Sequence, residues 1–269
     1  MIEPERELAR LPVFLSHYCR GDAVMRVQVI AGSVLCLMMA MTAPSDTRAM
    51  DVSPMVAKIT PSGSGSSYRL TVRNTATAPA TVEIEVYRMR VDENGVRSLV
   101  PEEDDIGVFP VQSVIPPNRE QVVQVRYLGD SGPEGKMYLV RAAQLPINMQ
   151  SITGEDEAGA DVKLAFTINT YVFVAPTSAR AAVEVTSVSR APNGDILLTA
   201  RNTGDGFAHL REARFTLKTA DGKTHEVPAA NIDVGEVSVM AGGATRNMRI
   251  PAALAADASG DVTASIVLL

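Results

Sequence analysis

"SYRLTVRNTATAPATVEIEVYRMRVDENG", residues 67 to 95, carries two alternating runs and two breaks. In Ser67–Asn74, Tyr68, Leu70 and Val72 alternate with Arg69, Thr71 and Arg73. In Thr81–Val91, Val82, Ile84 and Val86 fall on one side and Glu83 and Glu85 on the other. Successive side chains of an extended chain point to opposite faces, so a period of two predicts a half-buried β-strand in each run. Asn94-Gly95 then marks a tight hairpin, because such turns need positive φ and these residues reach it at least cost.

The same grammar extends outward. "QVVQVRYL" (Gln121–Leu128) and "KMYLVRAAQLP" (Lys136–Pro146) read as strands separated by the polar "GDSGPEG", and "VKLAFTINTYVFVAP" (Val162–Pro176) is a long apolar alternation ending at a proline. About seven short strands over roughly 125 residues suggest an immunoglobulin-like sandwich. After Pro176 a second set begins: "AAVEVTSVSR", "DILLTARN", "EARFTLKTADGKTHEV", "NIDVGEVSVMAGGATRNMRI" and "DVTASIVLL", with turns at Asn193-Gly194 and Asp221-Gly222. No run between residue 50 and the end keeps the i, i+3, i+4, i+7 spacing of an amphipathic helix. The expected fold is all-β: two immunoglobulin-like β-sandwich domains at an angle, residues 50–176 and 177–269. An internal echo, "YRLTVRNTATAPATVEI" and "DILLTARNTGDGFAHLRE", places Arg-Asn-Thr after a strand in both halves.

Composition narrows the function classes. With 46% hydrophobic and 21% charged residues the chain of 269 residues has the makeup of a globular protein. A net charge of −6 supplies no basic footprint for phosphates, and 4% aromatic residues without tryptophan supply few stacking platforms, so nucleic acid is not an expected partner. The N-terminal part reads differently. Arg26, an apolar run of about a dozen residues from Val29 to Met41, and Thr47-Arg48-Ala49 have the order of a secretory signal peptide. Residues 25–49 are therefore expected to be a cleaved leader starting at Met25, and residues 1–24 an upstream mis-start. The alternative, a membrane anchor, needs ~20 apolar residues. Cys19 and Cys36 both precede the cleavage point, so the exported protein would hold no disulfide and no membrane span.

Chemistry-bearing constellations are absent. His209 and His225 fall on different expected elements, with no ligand spacing or catalytic partner beside either. "PEEDDIG" (Pro101–Gly107) and "GEDEAG" (Gly154–Gly159) lack the ligand spacing of a calcium loop and read as solvated loops. "PSGSGSS" (Pro61–Ser67) lacks the Lys-Ser or Lys-Thr of a phosphate cradle. No catalytic residue, metal site or cofactor is expected, and the protein is not expected to be an enzyme.

Five ordered segments resemble the periplasmic pilus-assembly chaperones, the PapD-like family, over nearly all of residues 50–269. They are "VSPMVAKITPSGSGSSYRLTVRNTATAPATVEIEV", "FPVQSVIPPNREQVVQVRY", "YLVRAAQLP", "INTYVFVAP" and "ARNTGDGFAHL". The resemblance implies a periplasmic chaperone that stabilises pilus or fimbrial subunits by donor-strand complementation and delivers them to an outer-membrane usher. Its last strand in the first domain would lend Val162, Leu164, Phe166 and Ile168 to the client, with main-chain hydrogen bonds along the edge. The alternative is that these four fill the protein's own core, in an exported structural or adhesive protein of the same architecture. The family also grips the client carboxylate with a basic pair in the cleft between domains. Alignment on Pro61 and Gly63 puts the first position at Ala57, and alignment on Pro176 puts the second at Tyr171. Lys58 is the nearest cation, and a one-residue offset turns it to the opposite face unless a bulge intervenes, so Ala57, Lys58 and Tyr171 together are the candidate residues of the cleft between domains.

Overall fold

The computed structural model describes residues 50–132, 134–145, 165–255 and 260–269. The expected leader, the loop Gly154–Gly159, and Val162 and Leu164 lie outside the described residues. Among the described residues the chain forms strands and short 3-10 turns, with no α-helix. No helix there is long and apolar enough to cross a membrane.

The first lobe is built from β1 (Met50–Ser53), β2 (Val56–Ile59), β3 (Ser67–Asn74), β4 (Ala80–Val91) and β5 (Arg97–Pro101). It continues with β6 (Ile106–Phe109), β7 (Gln112–Ile115), β8 (Glu120–Tyr127), β9 (Lys136–Leu145) and β10 (Thr167–Val174). One sheet has the order β1-β3-β8-β6 and the other β2-β10-β9-β4-β5, with β7 also on β4. The opening segment serves both. β1 runs antiparallel to β3, and beyond Pro54-Met55 the chain continues as β2, parallel to β10.

The alternation of the opening stretch becomes the sandwich filling. Leu70 and Val72 of β3 and Val82, Ile84 and Val86 of β4 are buried in one cluster with Val123, Val125, Tyr138, Val140, Val172 and Val174. Each such side chain stabilises the fold by about 1.5–3 kcal/mol relative to exposure. Glu85, on the opposite face of β4, is held by Arg141 Nη1 at 3.3 Å and by the Tyr87 hydroxyl, which donates at 2.8 Å.

The second lobe contains β11 (Val183–Arg190), β12 (Ile196–Asn202), β13 (Ala208–His209) and β14 (Arg214–Thr219). After these come β15 (Thr224–Val227), β16 (Val239–Met240), β17 (Thr245–Ile250) and β18 (Val262–Val267). They pair as β11-β12-β17, β13-β16 and β15-β14-β18 around a separate core that includes Ile196, Leu198, Phe215, Leu217, Val234 and Met248. The hairpin expected at Asp221-Gly222 joins β14 to β15, with Gly222 at φ 84°. The expected strand-rich run Asn231–Ile250 holds two strands, β16 and β17, and an isolated antiparallel bridge between Asp233 and Arg249.

The Arg-Asn-Thr echo has a structural cause. Asn74 ends β3 and Asn202 ends β12, and both are fully buried. Asn74 Oδ1 accepts from the N–H of Ala76 at 2.9 Å and its Nδ2 donates to the carbonyl of Ala78 at 2.8 Å. Asn202 repeats the geometry with Gly204 N–H at 3.2 Å and Gly206 carbonyl at 2.8 Å. In each lobe one amide closes the loop leaving the strand, then spends its remaining capacity on a distant segment: Ile115 in the first lobe, Ala241 and the N–H of Ala182 in the second. Buried loop carbonyls and N–H groups would otherwise be left unpaired, which is why an asparagine recurs there.

Candidate functional site

β10 is the strand on which the site is built. On one side β9 pairs with its whole length, from Thr167↔Ala143 to Val174↔Lys136. On the other, β2 covers only Tyr171–Val174. Tyr171 N–H donates to Met55 O at 2.9 Å and Ala175 N–H to Ile59 O at 3.1 Å, whereas Phe166 O accepts from Gln144 N–H on the β9 side at 2.8 Å. Backbone polarity alternates along a strand, so the N–H and C=O groups of Thr167 and Asn169, in phase with Tyr171, point to an edge that no other strand among the described residues covers. That is an edge on which a further strand can add.

The side chains of β10 divide by phase. Thr170, Val172 and Val174 are buried in the first lobe, and Phe166 and Ile168 are half-buried against the same core. Asn169, Tyr171 and Phe173 occupy the other face. Asn169 Oδ1 accepts from Arg141 Nε at 3.1 Å. Phe173 packs with Met89 and Met137 of the first lobe and with Phe207, Val239 and Ala241 of the second. Its ring meets that of Phe207 edge-on, centroids 5.1 Å apart, a favoured aromatic geometry.

Above this apolar floor opens a cleft of about 610 Å³. The first lobe supplies Val56, Lys58, Met89, Arg97, Tyr171 and Phe173; the second supplies His209, Glu212 and Glu236–Val239. Arg97 Nη1 donates to the Tyr171 hydroxyl at 3.1 Å, and Arg97 Nε lies 3.7 Å from Glu236 Oε2. Lys58 and Glu212 are exposed, and both act on His209. Burial is the main cause holding the His209 imidazole below its ordinary pKa; Lys58 adds to it and Glu212 opposes.

Of the three candidate cleft residues, Lys58 and Tyr171 line the cleft and Ala57 does not. Ala57 is buried on the opposite face of β2, next to Ile59 in the alternation, and Lys58 lines the cleft. The reason is the parallel register: Val56 stands beside Tyr171 and Lys58 beside Phe173, and paired residues of neighbouring strands share a face. Tyr171 does line the cleft. Sequence reading missed Arg97, which reaches Tyr171 across 74 positions of chain. It also missed Glu212 and Glu236. His209, for which the sequence offered no ligand spacing or catalytic partner, is a wall of the cleft.

The second-lobe wall is fixed by Arg246, 1% exposed. Its Nη1 donates to the carbonyls of Val234, at 2.7 Å, and Val237, and its Nη2 to Val239 at 3.3 Å. Burial pulls its pKa down and Asp92, on the β4–β5 hairpin, opposes. The tip of that hairpin docks on the same loop and on β17: Val237 N–H donates to Gly95 O at 3.1 Å, and Asn247 N–H to Glu93 O at 2.6 Å. Gly95 (φ 78°) and Gly235 touch so closely that a Cβ on Gly95 would lie 2.5 Å from Val234 O. Among the described residues no group of three or more His, Cys, Asp or Glu is placed to hold a metal.

Two β-sandwich lobes with an open strand edge running into the cleft between them define the class. Among solved structures, this fold is shared by a fimbriae chaperone and by a chain of a chaperone–tip adhesin complex. The class 5 fimbriae chaperone CfaA is 9% identical, with a TM-score of 0.53 over 73% of this chain and 83% of that one. A chain of the chaperone–tip adhesin complex of CFA/I fimbriae biogenesis is 9% identical, with a TM-score of 0.52 over 74% and 84%. No family model and no curated protein matches the sequence. The chain shares its fold with these chaperones.

Proposed function

We propose that the protein is a periplasmic chaperone that captures pilus or fimbrial subunits by strand addition along β10 and passes them to an outer-membrane usher. It would be exported by the leader 25–49 and act by binding, without catalysis. The observation that carries the reading is the uncovered edge at Thr167 and Asn169 continuing into a cleft that holds two cations, Lys58 and Arg97. The fold shared with fimbrial chaperones supports it. A client strand laid on this edge gains main-chain hydrogen bonds, and Val162, Leu164, Phe166 and Ile168 are the donor side chains proposed to enter its groove. Lys58 and Arg97, the latter donating to the Tyr171 hydroxyl, stand in for the family's basic pair at the client carboxylate, since guanidinium and ammonium both bind carboxylate by charge-assisted hydrogen bonds.

The half-burial of Phe166 and Ile168 against the first core favours a second reading, an exported structural or adhesive protein. Co-expression with candidate subunits separates the two. The chaperone reading expects a one-to-one complex with wild type and none with Phe166→Glu, the variant keeping its thermal transition. A variant that unfolds, together with wild type that captures no subunit, is the outcome expected of the structural protein.

A further inference from the structure

The two walls of the cleft carry opposite charge. On the first-lobe side stand Lys58 and Arg97; on the second-lobe side stand Glu212 and Glu236. Arg97 and Glu236 meet at 3.7 Å across the cleft, both well exposed. Among the described residues Lys58 and Glu212 have no ion-pair partner, and both lie near enough to His209 to act on it in opposite directions. His209 and the apolar residues Met89, Phe173 and Val239 line the same cleft.

A carboxylate alone satisfies only one of these walls. Bound between Lys58 and Arg97, it competes with Glu236 for the guanidinium and is repelled by Glu212. A ligand that also brings a cation relieves both penalties, because the displaced and the unpaired glutamates gain a partner in the same event. We infer that the cleft selects client chain ends that carry a basic side chain in the last one or two residues beside the free terminal carboxylate, with Glu212 and Glu236 as the residues that set this preference. The inference rests on the carboxylate-binding role proposed for Lys58 and Arg97 and adds a specificity to it.

The test uses the full chain and short fluorescent peptides of one alternating apolar sequence. They end in alanine, lysine or glutamate as free acids, with the lysine peptide also made as its C-terminal amide. Expected at low salt is tighter binding of the lysine acid than of the alanine acid by about fivefold, the scale of a partly exposed ion pair. The glutamate acid binds weakest, and all differences shrink as salt is added. Glu212→Gln, at an exposed position, lowers the ratio of lysine to alanine affinity towards one. Equal binding of the lysine and alanine acids, both exceeding the amide, overturns the inference and leaves the carboxylate site standing. So does a lysine preference that survives in Glu212→Gln combined with Glu236→Gln. Free acids that bind no better than the amide overturn the carboxylate site itself.

Discussion

The two halves of β10 share one pattern of side chains and live in different surroundings. Tyr171–Val174 is clamped between β9 and β2, its inward residues fully buried and its outward residue Phe173 wedged into the floor of the cleft. Among the described residues Thr167–Thr170 has β9 on one side only, with Phe166 and Ile168 half-buried at the margin of the core. The difference teaches that alternation sets which face a residue takes, whereas the neighbouring strand decides whether that position is locked or available.

Charge placed in each half gives the largest contrast. Val172→Asp buries an unpaired carboxylate and is expected to destabilise by at least about 4 kcal/mol, while Ile168→Asp, which can reach water, costs about 1–2 kcal/mol. Urea denaturation of the two variants checks this, and equal losses would erase the distinction between the halves. Proline sharpens it at the level of the backbone. Tyr171→Pro removes the N–H that bonds Met55 O and is expected to cost about 3 kcal/mol, whereas Asn169→Pro removes an N–H on the open edge and costs about 1 kcal/mol. The second variant should nonetheless lose client capture in a pull-down, because that N–H is the one a client strand would use.

Smaller effects are expected in the cleft. Arg97→Gln breaks an exposed pair with Glu236 and should change stability by less than about 1 kcal/mol, yet reduce binding of a free-acid peptide. His209 gives the smallest effect. Its folded pKa lies below the unfolded one, so the unfolded chain takes up the proton first and stability falls as pH drops below the ordinary histidine value. Melting temperatures measured from pH 7.5 down to 5.5 should therefore decline more for wild type than for His209→Gln. Steeper decline in the variant would contradict the placement of His209 against Lys58.

Much of the fold was legible. β3 has the bounds read from Tyr68, Leu70 and Val72, and β4 begins one residue before its expected start. The Arg-Asn-Thr echo was legible as a pattern, and its cause, a buried amide closing a loop, only as geometry. The cleft was legible in part. Tyr171 and Lys58, two of the three candidates, line it, but Ala57 does not, since a single-residue change of phase moves a strand residue from one face to the other. Arg246 left no signal at all: an arginine in an alternating strand reads as surface.

The sequence by itself determined that this is an all-β chain, where its strands turn and which side chains can form cores, because polarity alternation and turn chemistry are properties of neighbouring residues. Tertiary structure alone decided which edge of β10 stays open and which charges face each other. Those depend on β2 lying parallel to β10 and on the β4–β5 hairpin docking against the loop that Arg246 holds, contacts between residues far apart in the chain.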